Sequence, residues 1–150
     1  MEVFRISTAA YSKTLSSSGS ANRWNLKGQF VLYTGSSRSL SSLELVVHKG
    51  AVRPAFEYQV MVISLADDDH LVKQVKSRGL PYNWRTMAAY PQLQRIGAAW
   101  YDSRESLVLK VPSAIIPMEF NYVINTEHPE FGKKVKLVRT EDYFWDSRLL

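Results

Sequence analysis

The stretch that decides the fold begins at Asn22 and reads Asn-Arg-Trp-Asn-Leu-Lys-Gly-Gln-Phe-Val-Leu-Tyr-Thr-Gly-Ser-Ser-Arg-Ser-Leu-Ser-Ser-Leu-Glu-Leu-Val-Val-His, ending at residue 48. Its apolar run at residues 30–33 predicts a short buried strand, and a helix-like segment follows the next glycine. A fold that places Arg23, Tyr33 and Glu44 around one crevice would combine an anion clamp, an aromatic platform and a carboxylate. Such a combination suits a dinucleotide.

A helix is predicted over residues 40–49, because Leu40, Leu43 and Val47 fall within a narrow arc at helical spacing. Glu44 lies on the shoulder of that apolar face. A carboxylate in such a position is either an edge residue that reaches water or a functional group in a cleft, because an unpaired buried charge is costly. The pattern alone leaves both interpretations open and favours the first, since charged side chains are mostly exposed.

The boundaries of this helix also have local signals. Ser37 or Ser39 can cap its start, and Gly50 follows its end. The chain before Arg23 is a polar, serine-rich loop at residues 12–20, which is either a plain connection or a cover that folds over a ligand.

Composition limits the class of protein. The chain has 150 residues, 45% hydrophobic, which predicts one soluble domain spanning residues 1–150. It has no cysteine, which excludes disulfides and thiolate chemistry. We expect a cytoplasmic protein without a membrane segment, because no apolar run is long enough and no signal peptide is visible. A net charge of +5 favours an anionic ligand, and its scatter along the chain permits nucleic acid without indicating it.

The remaining pattern predicts more strands than helices and no regular alternation of the two. Strands are predicted at residues 2–7, 56–65, 107–111, 120–124 and 133–138, and a second helix at residues 91–103. The expected fold is therefore α+β, a single domain with a mixed, largely antiparallel, twisted sheet and flanking helices.

Three consecutive carboxylates, Asp67 to Asp69, raise the question of a metal. They precede Leu71, Val72 and Val75, so we expect them to cap a helix there rather than to hold a cation. The histidines are also unfavourable for a metal or a catalytic triad, because no His-Glu-x-x-His or Gly-x-Ser-x-Gly pattern occurs. No metal site is predicted.

Two blocks of sequence resemble the RES domain family. The first comprises Arg23-Trp24-Asn25, Gly28, Val31-Leu32-Tyr33-Thr34, Leu43-Glu44 and His48. The second comprises Gly97-Ala98-Ala99-Trp100, the run from Leu107 to Pro117, Asn121-Tyr122, Ile124-Asn125 and His128-Pro129-Glu130-Phe131. The blocks span nearly the whole chain in the family's order. Ala21-Asn22 replaces the glycine pair that usually precedes the family's arginine, so the resemblance says least about the conformation of that loop.

The resemblance implies the toxin of a bacterial toxin–antitoxin pair, with a fold like that of ADP-ribosyltransferases, which degrades NAD+ without a metal. Its implied partner is an Xre-type helix-turn-helix antitoxin that blocks the cleft, with a homodimer possible inside the complex. Arg23 and Tyr33 match the NAD-binding residues, Glu44 the catalytic glutamate, and Ser113 the serine of the family name. Two family asparagines are also matched and are expected to bond turns: Asn121 and Asn125.

The chemistry of NAD+ cleavage is compatible with these residue types. Nicotinamide leaves as a neutral group, so Glu44 needs only to stabilise positive charge at the anomeric carbon and to orient the ribose. Arg23 can fork onto phosphate oxygens, Tyr33 can stack on nicotinamide, and Ser113 either bonds a ribose hydroxyl or fixes Glu44. The acceptor remains open between water, phosphate and a protein side chain.

An alternative of another class is a non-catalytic basic domain that binds single-stranded nucleic acid. It predicts aromatic side chains clustered on one exposed sheet face. The aromatic residues sit instead within apolar runs, which favours core positions and the absence of direct nucleic-acid binding. The apolar tail at residues 143–150 is a candidate surface for docking a second subunit or the antitoxin.

Overall fold

The computed structural model describes residues 1–48 and 52–150. One seven-stranded sheet forms the frame, with the strand order β4-β5-β6-β2-β1-β3-β7. The strands are β1 Glu2–Thr8, β2 Val31–Gly35, β3 Tyr58–Leu65, β4 Val72–Gln74, β5 Val108–Pro112, β6 Phe120–Asn125 and β7 Val135–Tyr143. The helices are α1 Arg38–Val47, α2 Tyr90–Ser103 and the short α3 Phe131–Lys134.

All neighbouring strands in the described chain run antiparallel except β4 and β5. The predicted α+β class with a mixed, largely antiparallel sheet is thereby confirmed. The shortest strand pairing is between β1 and β2, which pair only at Phe4 and Gly35. Beside that point the Arg5 guanidinium donates to the carbonyl of Tyr33 at 3.1 Å, so a side chain spans the gap between the diverging strands.

Both longer helices lie on one face of the sheet. Directly opposed residues of antiparallel strands share a face, so Val111, Asn121, Gly35 and Phe4 form one row across it. Towards the β5 end of this row, α2 packs Leu93 and Trp100 against β2, β5 and β6. Towards its β1 end, α1 packs Leu45 against β1 and β3. The two helices therefore cover different strands of the same face.

The opposite face is covered without a long helix. Its core contains Val3, Leu32, Ile63 and Ile124, and Leu15 of the serine-rich loop packs against them. This placement favours the interpretation of the loop as a connection that closes the second core. It gives no support to a cover folded over a ligand at the helical face.

The buried face of α1 differs from the predicted one. Leu40 is buried as expected, but Val47 is 59% exposed and Ser41 and Ser42 are buried instead. The reason lies in Gly35, where an added Cβ would be only 2.6 Å from Ser41 Oγ. Ser41 reaches the sheet because Gly35 faces it, and Ser42 is covered by Tyr143, whose hydroxyl donates to its Oγ at 2.7 Å. A count of apolar residues misses this arrangement.

The ends of α1 were predicted in part. Ser37 caps the start as expected, because its side chain accepts the Leu40 N–H at 3.0 Å. The predicted end at Lys49 and Gly50 lies outside the described residues, and α1 ends at Val47.

The helix predicted after the three aspartates is wrong. Asp68 caps only one 3-10 turn, Asp69–Leu71, and the chain then enters β4. Val72 is drawn into the sheet by pairing with Val108, so tertiary pairing outweighs the local capping signal. Asp67 pairs with the amino terminus at 2.9 Å. Across residues 1–48 and 52–150, no cluster of three or more histidines and carboxylates is arranged to hold a metal ion.

The other elements differ from the predictions mainly at their ends. The last strand is longer than residues 133–138, because β7 continues to Tyr143 along the whole of β3. Within the described ranges, no helix combines the length and apolar character that a transmembrane span requires.

Candidate active site

The carboxylate of Glu44 is held by two side chains from distant parts of the sequence. Its Oε1 accepts hydrogen bonds from Ser113 Oγ at 2.7 Å and from Asn121 Nδ2 at 2.6 Å. In the described part of the chain, nothing bonds its Oε2. One oxygen is therefore anchored and the other is left for a ligand, as expected of a preorganised charged group. These three residues are called the carboxylate half below.

Ser113 has its hydrogen-bonding capacity fully assigned. It follows β5, is 0% exposed, and its Oγ accepts the backbone N–H groups of Ile115 and Ile116 at 3.1 Å each. A hydroxyl has one proton and two lone pairs, so that proton is directed to Glu44. Of the two roles expected for Ser113, fixing Glu44 is the one that the geometry favours.

Asn121 sits on β6, opposite Gly35 and Val111, and its amide donates to Glu44. Turning the amide over would place its oxygen against the carboxylate, so this orientation is the favoured one. Its Oδ1 is buried without a partner among the described residues. The turn-bonding role predicted for Asn121 is wrong, because its donor serves the carboxylate.

The second asparagine does bond a turn. Asn125 is 0% exposed, and its Oδ1 accepts the Glu127 N–H at 2.9 Å. That prediction is confirmed.

Arg23 stands at the tip of a tight turn closed by the backbone bridge between Asn22 and Asn25. Its Nη1 donates to the carbonyl of Trp84 at 3.0 Å, and its guanidinium lies over the Tyr90 ring, 4.8 Å from the centroid. The side chain is half-buried. The guanidinium is oriented by a backbone acceptor and an aromatic face and is not neutralised by a carboxylate in the described chain.

Tyr33 supports that turn with its hydroxyl. The phenol oxygen accepts the Trp24 N–H at 3.0 Å and donates to Asn25 Oδ1 at 2.6 Å. Burial raises the pKa of Tyr33 above its ordinary value, so the phenol stays protonated as this donor. The hydroxyl is committed to the protein, and only the half-buried ring is left for the predicted stacking.

Helix α2 presses against the same turn. A Cβ on Gly97 would lie 1.7 Å from the carbonyl oxygen of Trp24, which means that only glycine allows this approach. One helical turn earlier, Gln94 Nε2 donates to the carbonyl of Asn22 at 2.9 Å. Arg23, Tyr33, Trp84 and the α2 contacts at Gly97 and Gln94 are called the arginine half.

The two halves occupy the same face of the sheet. Tyr33 pairs with Val123, and Gly35 pairs with Asn121, so the two positions are two residues apart on adjacent strands, roughly 7 Å along the strand. The structure thus places the arginine half under α2 and the carboxylate half beside α1. Arg23, Tyr33 and Glu44 thus lie on the same face of the sheet, and the fully buried Ser113 acts there through its bond to Glu44.

Sequence reasoning missed the donor role of Asn121 and the Trp84 carbonyl that orients Arg23. Asn121 and Glu44 are 77 residues apart, and Arg23 and Trp84 are 61 apart, so no local pattern links either pair. The only available signal was the position of Asn121 in the second block of family resemblance.

A cavity of about 590 Å³ lies elsewhere, at the end of β3 and β7. Its lining includes Tyr58, Tyr143 and Trp145 but none of the four predicted site residues. Tyr143 and Trp145 meet edge to face, with ring centroids 4.8 Å apart, so part of the tail packs on its own sheet. Phe144 is 86% exposed. The docking role of the tail stays a prediction.

The structure gives little support to a nucleic-acid platform. Trp24, Trp84 and Trp100 are all buried in the core under α2. Aromatic rings that are buried in this way cannot stack on bases.

Comparison with known proteins identifies a family for this chain. The RES domain family profile matches residues 2–146. A protein named Toxin Res from Yersinia enterocolitica serotype O:8 is 34% identical over 127 residues, covering 85% of this chain and 82% of that protein. A protein named Prs ADP-ribosylating toxin from Sphingobium sp. strain YBL2 is 32% identical over 129 residues, covering 85% and 80%.

The fold has a counterpart among solved structures. A chain of the M. tuberculosis MbcT-MbcA toxin-antitoxin complex matches with a TM-score of 0.74 and 17% identity, covering 95% of this chain and 84% of that one. At that identity the likeness concerns the fold only. From the profile match along almost its whole length and from relatives above 30% identity, the chain belongs to the RES domain family.

Proposed function

We propose that this protein is a toxin that cleaves the nicotinamide–ribose bond of NAD+. The observation that carries the proposal is the anchoring of Glu44 by Ser113 and Asn121 on the sheet face that also bears the arginine half. A carboxylate with one fixed oxygen and one open oxygen suits an oxocarbenium-like transition state. The relatives named as toxins support the cellular outcome.

In this proposal Glu44 acts by charge and position. The bond to nicotinamide breaks with its electron pair going to the pyridine ring, which leaves as a neutral molecule and needs no proton. Positive charge develops at the anomeric carbon and ring oxygen of the ribose. Glu44 Oε2 stabilises that charge and holds a ribose hydroxyl, while the two donors on Oε1 keep the carboxylate from turning away.

The arginine half supplies binding. The Arg23 guanidinium, stacked over Tyr90, presents its remaining N–H groups to the pyrophosphate of the dinucleotide. The ring of Tyr33 offers an apolar surface for nicotinamide, while its hydroxyl maintains the turn. No metal is required in this scheme, because the leaving group is already a good one.

The same proposal includes a protein partner. One chain of the matching solved structure comes from a toxin-antitoxin complex, and the family resemblance implies an Xre-type antitoxin. We expect such an antitoxin to bind in the cytoplasm and to cover the face of the sheet that bears Glu44 and Arg23, since access to Glu44 is required for cleavage.

A second candidate activity is ADP-ribosyl transfer to a protein. The relative named as an ADP-ribosylating toxin favours it, and the first half of the reaction is the same. The two activities differ only in whether water, phosphate or a protein side chain attacks the anomeric carbon.

The proposal is tested by incubating purified protein with NAD+ in three conditions: alone, with inorganic phosphate, and with added cell protein. The products are identified by mass spectrometry. Free nicotinamide with ADP-ribose indicates water as acceptor, and ADP-ribose 1″-phosphate indicates phosphate. Nicotinamide release that depends on added cell protein, with a matching mass gain on a protein, indicates transfer. Intact NAD+ in all three conditions, with a folded protein, contradicts the proposal.

A further inference from the structure

A loop between the two halves carries a second arginine that the proposed chemistry has not used. Residues 81–86 form hydrogen-bonded turns, in which the Trp84 N–H donates to Pro81 and the Thr86 N–H to Asn83. Trp84 is only 8% exposed and ties the loop to the core under α2. The loop is thus a fixed element of the structure.

This loop joins the arginine half to the carboxylate half through two guanidinium contacts. Arg23 donates to the carbonyl of Trp84 at 3.0 Å, and the next residue, Arg85, donates from Nε to the carbonyl of Ala114 at 2.7 Å. Ala114 follows Ser113, the residue that bonds Glu44. Arg85 therefore connects the loop that holds Arg23 with the segment that holds the Glu44 carboxylate.

Neither arginine has a charged partner among the described residues. No ion pair in the described residues includes Arg23 or Arg85, although five others are formed elsewhere. Each guanidinium uses one N–H on a backbone carbonyl, which fixes its direction and leaves its charge uncompensated. Arg85 is exposed and Arg23 is half-buried, so both guanidinium groups keep N–H groups open to a bound anion.

We propose that Arg85 is a second binding residue for the pyrophosphate of the dinucleotide, so that Arg23 and Arg85 each take one phosphate group. The inference rests on the proposed function and adds to it the ligand group recognised at residue 85. Arginine suits this position because its planar fork bonds a backbone carbonyl and phosphate oxygens at the same time. In the same scheme Glu44 receives the ribose that is linked to the phosphate nearer Arg85.

The inference is tested by binding, independently of cleavage. Isothermal titration in phosphate-free buffer compares ADP with adenosine on the wild-type protein, Arg85→Gln, Arg85→Lys and Lys133→Gln. ADP carries the pyrophosphate and adenosine lacks it. Lys133 is an exposed cation in α3, next to the edge strand β7, and matches the loss of one charge away from the site.

We expect Arg85→Gln to weaken ADP binding on the order of tenfold and to leave adenosine binding unchanged. Arg85→Lys keeps the charge but loses the fork, so its loss should be smaller. Lys133→Gln should bind ADP as the wild type does. In turnover with NAD+, Arg85→Gln should raise KM by a larger factor than it lowers kcat.

Three results overturn the inference. Equal ADP affinity for Arg85→Gln and the wild type would show that Arg85 does not contact the pyrophosphate. Equal weakening of ADP and adenosine binding would show that Arg85 only supports the segment after Ser113. An unchanged KM in phosphate-free buffer, with loss only of a phosphate-dependent rate, assigns the arginine to free phosphate. If NAD+ remains intact but ADP binding depends on Arg85, the inference stands and the proposed cleavage fails.

Discussion

The carboxylate half of the site is fixed at the functional group itself, whereas the arginine half is fixed mainly through the backbone that carries it. Glu44 Oε1 receives two side-chain donors within 2.7 Å. Arg23 has one bond at 3.0 Å from its own guanidinium, and the rest of its support acts on its turn. The group expected to act on the reacting bond is thus the more rigid one.

This difference follows from what each group must do. A catalytic charge gains most when it is already oriented before the substrate arrives, because no reorganisation is then needed in the transition state. A phosphate-binding arginine keeps N–H groups free for the ligand, so it needs only a fixed backbone position. The comparison predicts that damage to the carboxylate half lowers kcat, and damage to the arginine half raises KM.

The largest effect is expected from Glu44→Gln, which keeps the shape and removes the charge. The two donors can still bond the amide oxygen, so the fold should be unchanged by circular dichroism. NAD+ turnover should fall roughly 100- to 1,000-fold, measured as nicotinamide release. Glu127→Gln, an exposed carboxylate, serves as the matched control. Near-normal turnover in Glu44→Gln with an intact fold would remove Glu44 from its role.

Substitution of Asn121 tests whether the anchor matters. Asn121→Ala removes one donor, so kcat should fall about tenfold, the value of a hydrogen bond to a charged group. Asn121→Asp places a second carboxylate beside that of Glu44, so we expect kcat to fall about 100-fold at neutral pH.

The two Asn121 variants differ in their pH dependence. Like charges raise the pKa of one carboxyl of the pair, so acidification returns a proton between them and should restore part of the activity of Asn121→Asp. Asn121→Ala should not show that recovery, and Ser18→Ala on the exposed loop is the control for polar loss. An identical pH profile for both variants would contradict a direct contact with Glu44.

Gly97→Ala tests the scaffold of the arginine half. The added methyl would meet the Trp24 carbonyl at 1.7 Å, so α2 must move away from the turn. We expect a loss of roughly 2–3 kcal/mol in the free energy of unfolding, measured by urea denaturation, and a raised KM. Gly132→Ala in α3 meets nothing within 4 Å and is the matched control. Equal stability of the two variants would show that the close approach does not exist.

The smallest effect is expected from Tyr33→Phe. It removes the hydroxyl from Trp24 N–H and Asn25 Oδ1, which should cost about 1–2 kcal/mol of stability and raise KM more than it lowers kcat. Tyr11→Phe, at a residue 73% exposed, is the control. A kcat loss as large as that of Asn121→Ala would contradict the division between the two halves.

The raised pKa of Tyr33 adds a dependence on pH with a defined sign. Below the ordinary tyrosine pKa of about 10 the phenol is neutral in both states and its contribution is complete. As pH rises from there towards the higher folded value, the unfolded chain ionises first and stability falls. Tyr33→Phe should therefore lose stability less steeply than the wild type above about pH 10, and parallel slopes would contradict the burial.

Most strands and the two longer helices were predictable because their sequence signals are local. The aromatic and β-branched run of β3 and the spacing of Leu93, Ile96 and Trp100 in α2 are each decided within a few residues. The fold class followed from the ratio and order of such segments. The helix predicted after Asp69 failed because β5, far along the chain, recruits Val72 into the sheet.

For the candidate site, the sequence offered residues and not their contacts. The family resemblance singled out Arg23, Tyr33, Glu44 and Ser113, but the hydroxyl of Tyr33 holds a turn, a role that no pattern indicates. The donor on Asn121 depends on Gly35 letting α1 approach the sheet, which is a property of packing. Sequence therefore indicates which groups are available, and the folded structure determines which of their atoms remain free to bind a ligand.

A crystal structure of the Glu44→Gln variant with NAD+ tests most directly whether the two halves form one dinucleotide site. The account predicts the nicotinamide ribose within hydrogen-bond reach of the side chain at position 44 and the pyrophosphate on Arg23, with Ser113 and Asn121 still in place. A dinucleotide bound with its pyrophosphate away from Arg23, or with its ribose out of reach of position 44, would contradict the account.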